Sequence, residues 1–106
     1  MRELTNRTGI PKLLVDETLP DPEHPLYFHY REIPPGSRAH APHVHATPQV
    51  EVMYVVEGEA EVQLADECFA ISTGMAAEVN CSRLHGIRNA GDTPLKYMII
   101  IADQPA

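Results

Sequence analysis

Ten prolines and six glycines punctuate this 106-residue chain and cut it into short segments. Proline breaks a helix interior and glycine loosens one. The spacing therefore argues against long helices and for short strands joined by turns. The segments themselves read as strands. EVMYVVE (51–57) is rich in valine and tyrosine and ends at Gly58. EAEVQL (59–64) alternates strictly, with Glu59, Glu61 and Gln63 on one side and Ala60, Val62 and Leu64 on the other, the pattern of a strand with one wet and one buried face. Asp66-Glu67 is expected to turn the chain into CFAIS (68–72), and MAAEV (75–79) follows Gly74. HGIRN (85–89) comes next, then LKYMIII (95–101), which is apolar on both faces and expected to be covered on both, with a partner subunit as a candidate cover. Upstream, LYFHYREI (26–33) stops at Pro34-Pro35-Gly36, PKLLV (11–15) is a further strand and PDPEHP (20–25) a loop. The sum is an all-β barrel or sandwich with little or no helix.

Length sets one domain over residues 1–106, with an N-terminal arm over 1–25 and the barrel over 26–102. The net charge is −7 and the eight lysines and arginines are scattered, so no basic stripe is available for phosphates and nucleic-acid binding is not expected. No apolar run approaches 18 residues, which argues against a membrane span. The first residues carry no apolar signal-peptide segment, and a cytoplasmic protein is expected. Cys68 and Cys81 read as two small buried hydrophobes in a reducing cytosol.

Three of the six histidines fall in HAPHVHATPQVE (40–51). On an extended chain His43 and His45 point the same way, with Cα atoms roughly 6.5–7 Å apart, so the pair can grip one ion. Glu51 opens the next strand, and a separate histidine, His85, stands in LHG, followed by Asn89. Imidazole and carboxylate together suit Mn, Fe, Ni, Co, Cu or Zn, and three imidazoles with one carboxylate would leave coordination positions open for a substrate.

The run Gly36-SRAHAP-His43-V-His45-ATPQV-Glu51-VMYVVE-Gly58 resembles the first motif of the cupin family. Gly74-MAAEV-Asn80-C-Ser82-RL-His85-GIR-Asn89 resembles the second, with Asn80 in place of its usual proline and Ser82 in place of its usual glycine. The resemblance implies a double-stranded β-helix (jelly-roll) barrel. It also implies that His43, His45, Glu51 and His85 converge on one divalent transition metal inside it. ATPQV is one residue longer than the family's usual spacing, and Gln49, at the shorter spacing, is the alternative to Glu51. His40 is expected at the barrel's mouth and Asn89 as a residue that satisfies a turn or the sheet. Met53 and Val55 share Glu51's parity and are expected to line the pocket floor.

By the same analogy Ile33 points inward, and Tyr27, His29 and Arg31 share its parity. Arg31 would then suit a carboxylate or another anionic oxygen, and His29 would serve as acid or base. The opposite parity buries Phe28 and Tyr30 and leaves Arg31 in solvent; the sequence leaves both open. The expected function is a metal-binding cupin, leaning to an enzyme of dioxygenase, decarboxylase, isomerase or lyase type acting on a small polar or anionic molecule. The alternative is a non-catalytic binding or sensing cupin. The apolar strand 95–101, the outward parity of Val52, Tyr54 and Val56, and the family's habit point to a homodimer.

Overall fold

The computed structural model describes residues 1–4, 9–10, 12–19 and 27–104; the expected loop at 20–25, with His24, lies outside them. Among the described residues there are strands and turns and no helix. In chain order they are β1 (Arg2–Leu4), β2 (Leu13–Val15), β3 (Tyr27–Ile33), β4 (Gln49–Glu57), β5 (Glu59–Leu64), β6 (Glu67–Ser72), β7 (Ala76–Asn80), β8 (His85–Asn89) and β9 (Leu95–Asp103). No helix among the described residues is long and apolar enough to cross a membrane.

Two antiparallel sheets form the body, ordered β3-β9-β4-β7 and β6-β5-β8, and β1 pairs with β2 in a separate ribbon. The alternation of EAEVQL does what a period of two requires: Ala60 and Val62 are buried while Glu59 is exposed. One sheet sends Ile33, Met53, Val55, Val79, Leu95 and Tyr97 into the core, and the other answers with Val62, Ile71 and Ile87. Each such side chain stabilises the fold by roughly 1.5–3 kcal/mol relative to exposure.

Turns carry the backbone strain. Gly58, between β4 and β5, has φ 114°, and a Cβ there would press on the backbone of Pro94 and Leu95, so only glycine fits. Gly9 (φ 73°) lies against the Tyr30 carbonyl, where no side chain fits, so the N-terminal arm passes directly over β3. Ala65, at φ 55°, turns the chain one residue earlier than the expected Asp66-Glu67, and β6 therefore starts at Glu67.

Within the chain β9 buries one face, through Leu95, Tyr97 and Ile99; Lys96, Met98 and Ile100 opposite are half-buried. One expectation changes. Both thiols are free, but Cys68 is exposed while Cys81 is buried, because β6 is an edge strand and Cys68 faces away from buried Ile71.

Candidate metal centre

Backbone hydrogen bonds place the histidines before any side chain acts. His43 forms an isolated antiparallel bridge with His85, each amide donating to the other's carbonyl at 3.0 Å. Two residues on, the His45 amide donates to the Cys81 carbonyl at 2.9 Å, and the Cys81 amide donates to the Gln49 carbonyl at 3.0 Å. The H-x-H segment is thus stitched to the head of β8 and to the end of β7. His43 and His45 rings stack on the same side, with centroids 5.1 Å apart and planes 12° apart. Glu51, on β4 opposite Val79 and Ile101, points into the same space and is 6% exposed. The extra residue of ATPQV is absorbed in the bend at 46–47, and β4 still delivers Glu51 rather than Gln49 inward.

Each imidazole is held by its Nδ1. The Nδ1 of His43 meets the Ala41 carbonyl at 3.1 Å, that of His85 the Arg83 carbonyl at 2.8 Å, and that of His45 the Gln49 Oε1 at 2.8 Å. Carbonyl oxygens only accept, so each Nδ1 carries the hydrogen and each Nε2 offers a lone pair. For His45 the assignment runs one step further. The Gln49 Nε2 donates to Asp103 Oδ1 at 3.0 Å, which turns the amide oxygen toward the ring. Gln49, the alternative ligand, is spent on orienting His45 from behind.

The three Nε2 atoms then face one another. Those of His43 and His45 are 3.2 Å apart, a repulsive approach of two lone pairs unless a cation lies between them. Glu51 Oε1 lies 3.8 Å from His45 Nε2 and 3.6 Å from His85 Nε2, too far for hydrogen bonds. His85 is fully buried and its Nε2 has no hydrogen-bond partner, a state that costs about 1–3 kcal/mol. A cation among these atoms removes both penalties, so the residues fit a metal ion. Outer partners that fix tautomer and ring orientation are the usual support of such centres.

The tightest set differs from the expected one. Ligand atoms of His45, Glu51, Cys81 and His85 all lie within 4.8 Å of one another, and His43 joins them through His45 from the exposed side. Burial, and after it the Glu51 carboxylate, push the Cys81 thiol up to about 11. The signal for Cys81 was its place in N-C-S, four residues before His85.

A cavity of about 170 Å³ opens over the cluster, and Tyr27, Arg31, His40, Tyr97, Ile99 and Ile101 complete its wall. The parity left open for β3 is therefore inward: Arg31 pairs with Tyr97 across the ladder and Ile33 is buried. His29 is not on the wall. It stacks on Tyr27, with centroids 4.7 Å apart and planes 13° apart, and burial, then Arg31 and His40, hold its pKa below the ordinary histidine value. Met53 and Val55 do not line the cavity either; both are fully buried in the core, deeper along β4 than Glu51. Sequence reasoning missed Tyr97, whose hydroxyl is buried without a well-formed hydrogen bond. Burial raises its pKa and the nearby Arg31 guanidinium opposes that rise. A phenol amid LKYMIII, on the parity of Leu95 and Ile99, was the available clue. His40 stands at the mouth, its ring 6.3 Å from that of His43, and Asn89 satisfies the carbonyls of Ile33 and Thr93 at 3.1 and 2.7 Å.

Comparison with known proteins agrees with this architecture. No protein of curated function matches the sequence. The protein TT1209 of Thermus thermophilus has a similar structure, with 29% identity, TM-score 0.67, and 76% of this chain and 74% of that one covered. A Thermotoga maritima protein described as a predicted oxalate decarboxylase is similar at 26% identity and TM-score 0.67, covering 74% of this chain and 66%, just under two thirds, of that one. An RmlC-like cupin family protein from Methanocaldococcus jannaschii, with a double-stranded β-helix fold, shares that fold at TM-score 0.65 and 16% identity, covering 74% of this chain and 70% of that one. The family model for the cupin domain matches residues 29–101, a span that holds all but the outer ends of β3 and β9 in the two sheets and every residue of the cluster, and the chain belongs to the cupin family.

Proposed function

We propose that this cupin is a metal-dependent enzyme whose substrate is a small molecule bearing an anionic oxygen group, a carboxylate above all. The observation that carries the reading is Arg31. It lines the same cavity as the histidine–glutamate cluster, and among the described residues no carboxylate pairs with it. A guanidinium binds a carboxylate through two parallel hydrogen bonds, and the Tyr97 hydroxyl beside it offers a third polar contact. Ile87, Ile99 and Ile101 exclude water from the rest of the wall. A cavity of about 170 Å³ suits a small molecule. The description of the Thermotoga maritima relative as a predicted oxalate decarboxylase favours the same class, oxalate being a small dicarboxylate.

His43, His45, Glu51 and His85 would hold the ion. When bound, it supplies Lewis acidity, or redox chemistry if its valence can change. Arg31 and Tyr97 orient the anionic end toward it. One observation favours a second reading, a binding or sensing cupin without turnover: His29, the expected acid or base, does not reach the cavity wall. Metal analysis of tag-free protein, followed by calorimetry with oxalate, malonate and acetate and a turnover assay, tests both. Metal with carboxylate binding and turnover supports the enzyme, binding without turnover the sensor, and no metal-dependent binding overturns both.

We further propose a homodimer through the outer face of the β3-β9-β4-β7 sheet. Cross-strand rows Phe28–Ile100–Val52 and Tyr30–Met98–Tyr54 run side by side there, with Tyr54 and Val56 exposed. An apolar face of this kind favours a protein contact. Sedimentation that gives a monomer at micromolar concentration would sink the proposal.

A further inference from the structure

The reading above counts nitrogen and oxygen donors; the cluster also contains a sulfur. We propose that Cys81 is a ligand of the same ion, so that the centre takes a thiophilic divalent metal rather than manganese or magnesium. The inference rests on the metal reading and deepens it.

Cys81 is fully buried and free, and its Sγ lies within 4.8 Å of the ligand atoms of His45, Glu51 and His85. The unpartnered Nε2 of buried His85 belongs to the same cluster, so a second and independent group lacks a partner there. Position is fixed by the backbone: the Cys81 carbonyl accepts from the His45 amide at 2.9 Å, and its amide donates to the Gln49 carbonyl at 3.0 Å. One residue is thus pinned to both the H-x-H segment and the strand that carries Glu51.

Charge supports the same assignment. A divalent ion in a buried site is costly unless its charge is matched nearby. Glu51 supplies one negative charge, and a Cys81 thiolate, formed as its proton leaves to solvent and the sulfur–metal bond forms, supplies the second. Soft sulfur favours zinc, iron, cobalt, nickel or copper over manganese and magnesium. Cys81 does not line the cavity, whereas His43 does, so a sulfur donor leaves the substrate side free.

Cobalt(II) is the probe. The apoprotein carries Cys68→Ser, which removes the exposed thiol, and is titrated with Co(II) while the near-ultraviolet and visible spectra are recorded. A stoichiometric thiolate-to-cobalt charge-transfer band is expected. Cys81→Ser, checked for fold by circular dichroism, is expected to lose that band, keep the weaker ligand-field bands, and bind Co(II) at least about tenfold more weakly, the scale on which metal-supporting residues act. Cys81→Ala is measured alongside in case the serine hydroxyl takes the sulfur's place. Co(II) bound at one equivalent without the charge-transfer band, or with a band that survives Cys81→Ser, overturns the assignment and leaves the histidine–glutamate site standing. Failure to bind Co(II), Zn(II) or Ni(II) at all overturns the metal reading itself.

Discussion

His43 and His85, far apart in sequence, each donate a backbone hydrogen bond to the other at 3.0 Å, in a bridge outside the named strands. Their ring centroids come within 4.7 Å. Two motifs from opposite ends of the barrel sequence are thereby locked together by main-chain geometry, and the side chains inherit the alignment. The Nε2 of His85 remains without a hydrogen-bond partner, so the chain holds a ligand atom ready at an energetic cost that a bound ion would recover.

Metal should therefore stabilise the fold measurably. Free ion at a hundred times its dissociation constant adds about 2.7 kcal/mol, which for a domain of this size raises Tm by about 10–20 °C. Scanning calorimetry of apo and metal-loaded protein reads this directly. His85→Gln should abolish most of the shift, and an unchanged shift would show that the ion binds elsewhere.

Gln49 and Glu51 should separate cleanly. Gln49 orients His45 through its amide oxygen and is itself anchored by Asp103, so Gln49→Ala is expected to weaken metal affinity by about 10–100-fold, the usual effect of an outer partner. Glu51→Ala, which removes a charged donor from the cluster, should weaken it further. The reverse order in competitive titration would return the ligand role to Gln49.

The parts of this molecule legible in the sequence are those set by short-range rules. Alternation in EAEVQL and the punctuation by glycine and proline specify strands, and histidines two apart must share a side of an extended segment. Less legible was anything decided across the barrel. The inward parity of Tyr27 and Arg31 depends on the pairing of β3 with β9, which places Arg31 beside Tyr97. Met53 shares Glu51's parity, yet its depth along β4 puts it in the core. Cys81 looked like a bystander because its relation to His45 is a backbone hydrogen bond between distant segments.

Met53 supplies a test of that depth. It is fully buried among core residues and absent from the cavity wall, so Met53→Ala should cost about 2–5 kcal/mol of stability. Carboxylate affinity of the folded, metal-loaded variant should fall far less than that of Arg31→Ala, since Met53 reaches the cavity only through its ladder partner Ile99 and its same-face neighbour Glu51. Chemical denaturation and calorimetry measure the two quantities separately, and a selective loss of ligand binding would put Met53 back in the pocket.

His29 provides the pH dependence. Burial depresses its pKa first, and the positive charges of Arg31 and His40 add to that. The folded protein thus resists protonating His29, while the unfolded chain takes up the proton at the ordinary value. The contribution of His29 to stability is accordingly intact above the ordinary histidine pKa and falls as the pH drops below it, through the depressed folded value. His29→Asn should flatten the decline between neutral and mildly acidic pH. Arg31→Gln should raise the His29 pKa partway, because burial, the larger cause, remains; NMR titration of the imidazole resolves the shift. An unchanged His29 titration in Arg31→Gln would mean that solvent screens the guanidinium from the imidazole and that burial alone depresses the His29 pKa.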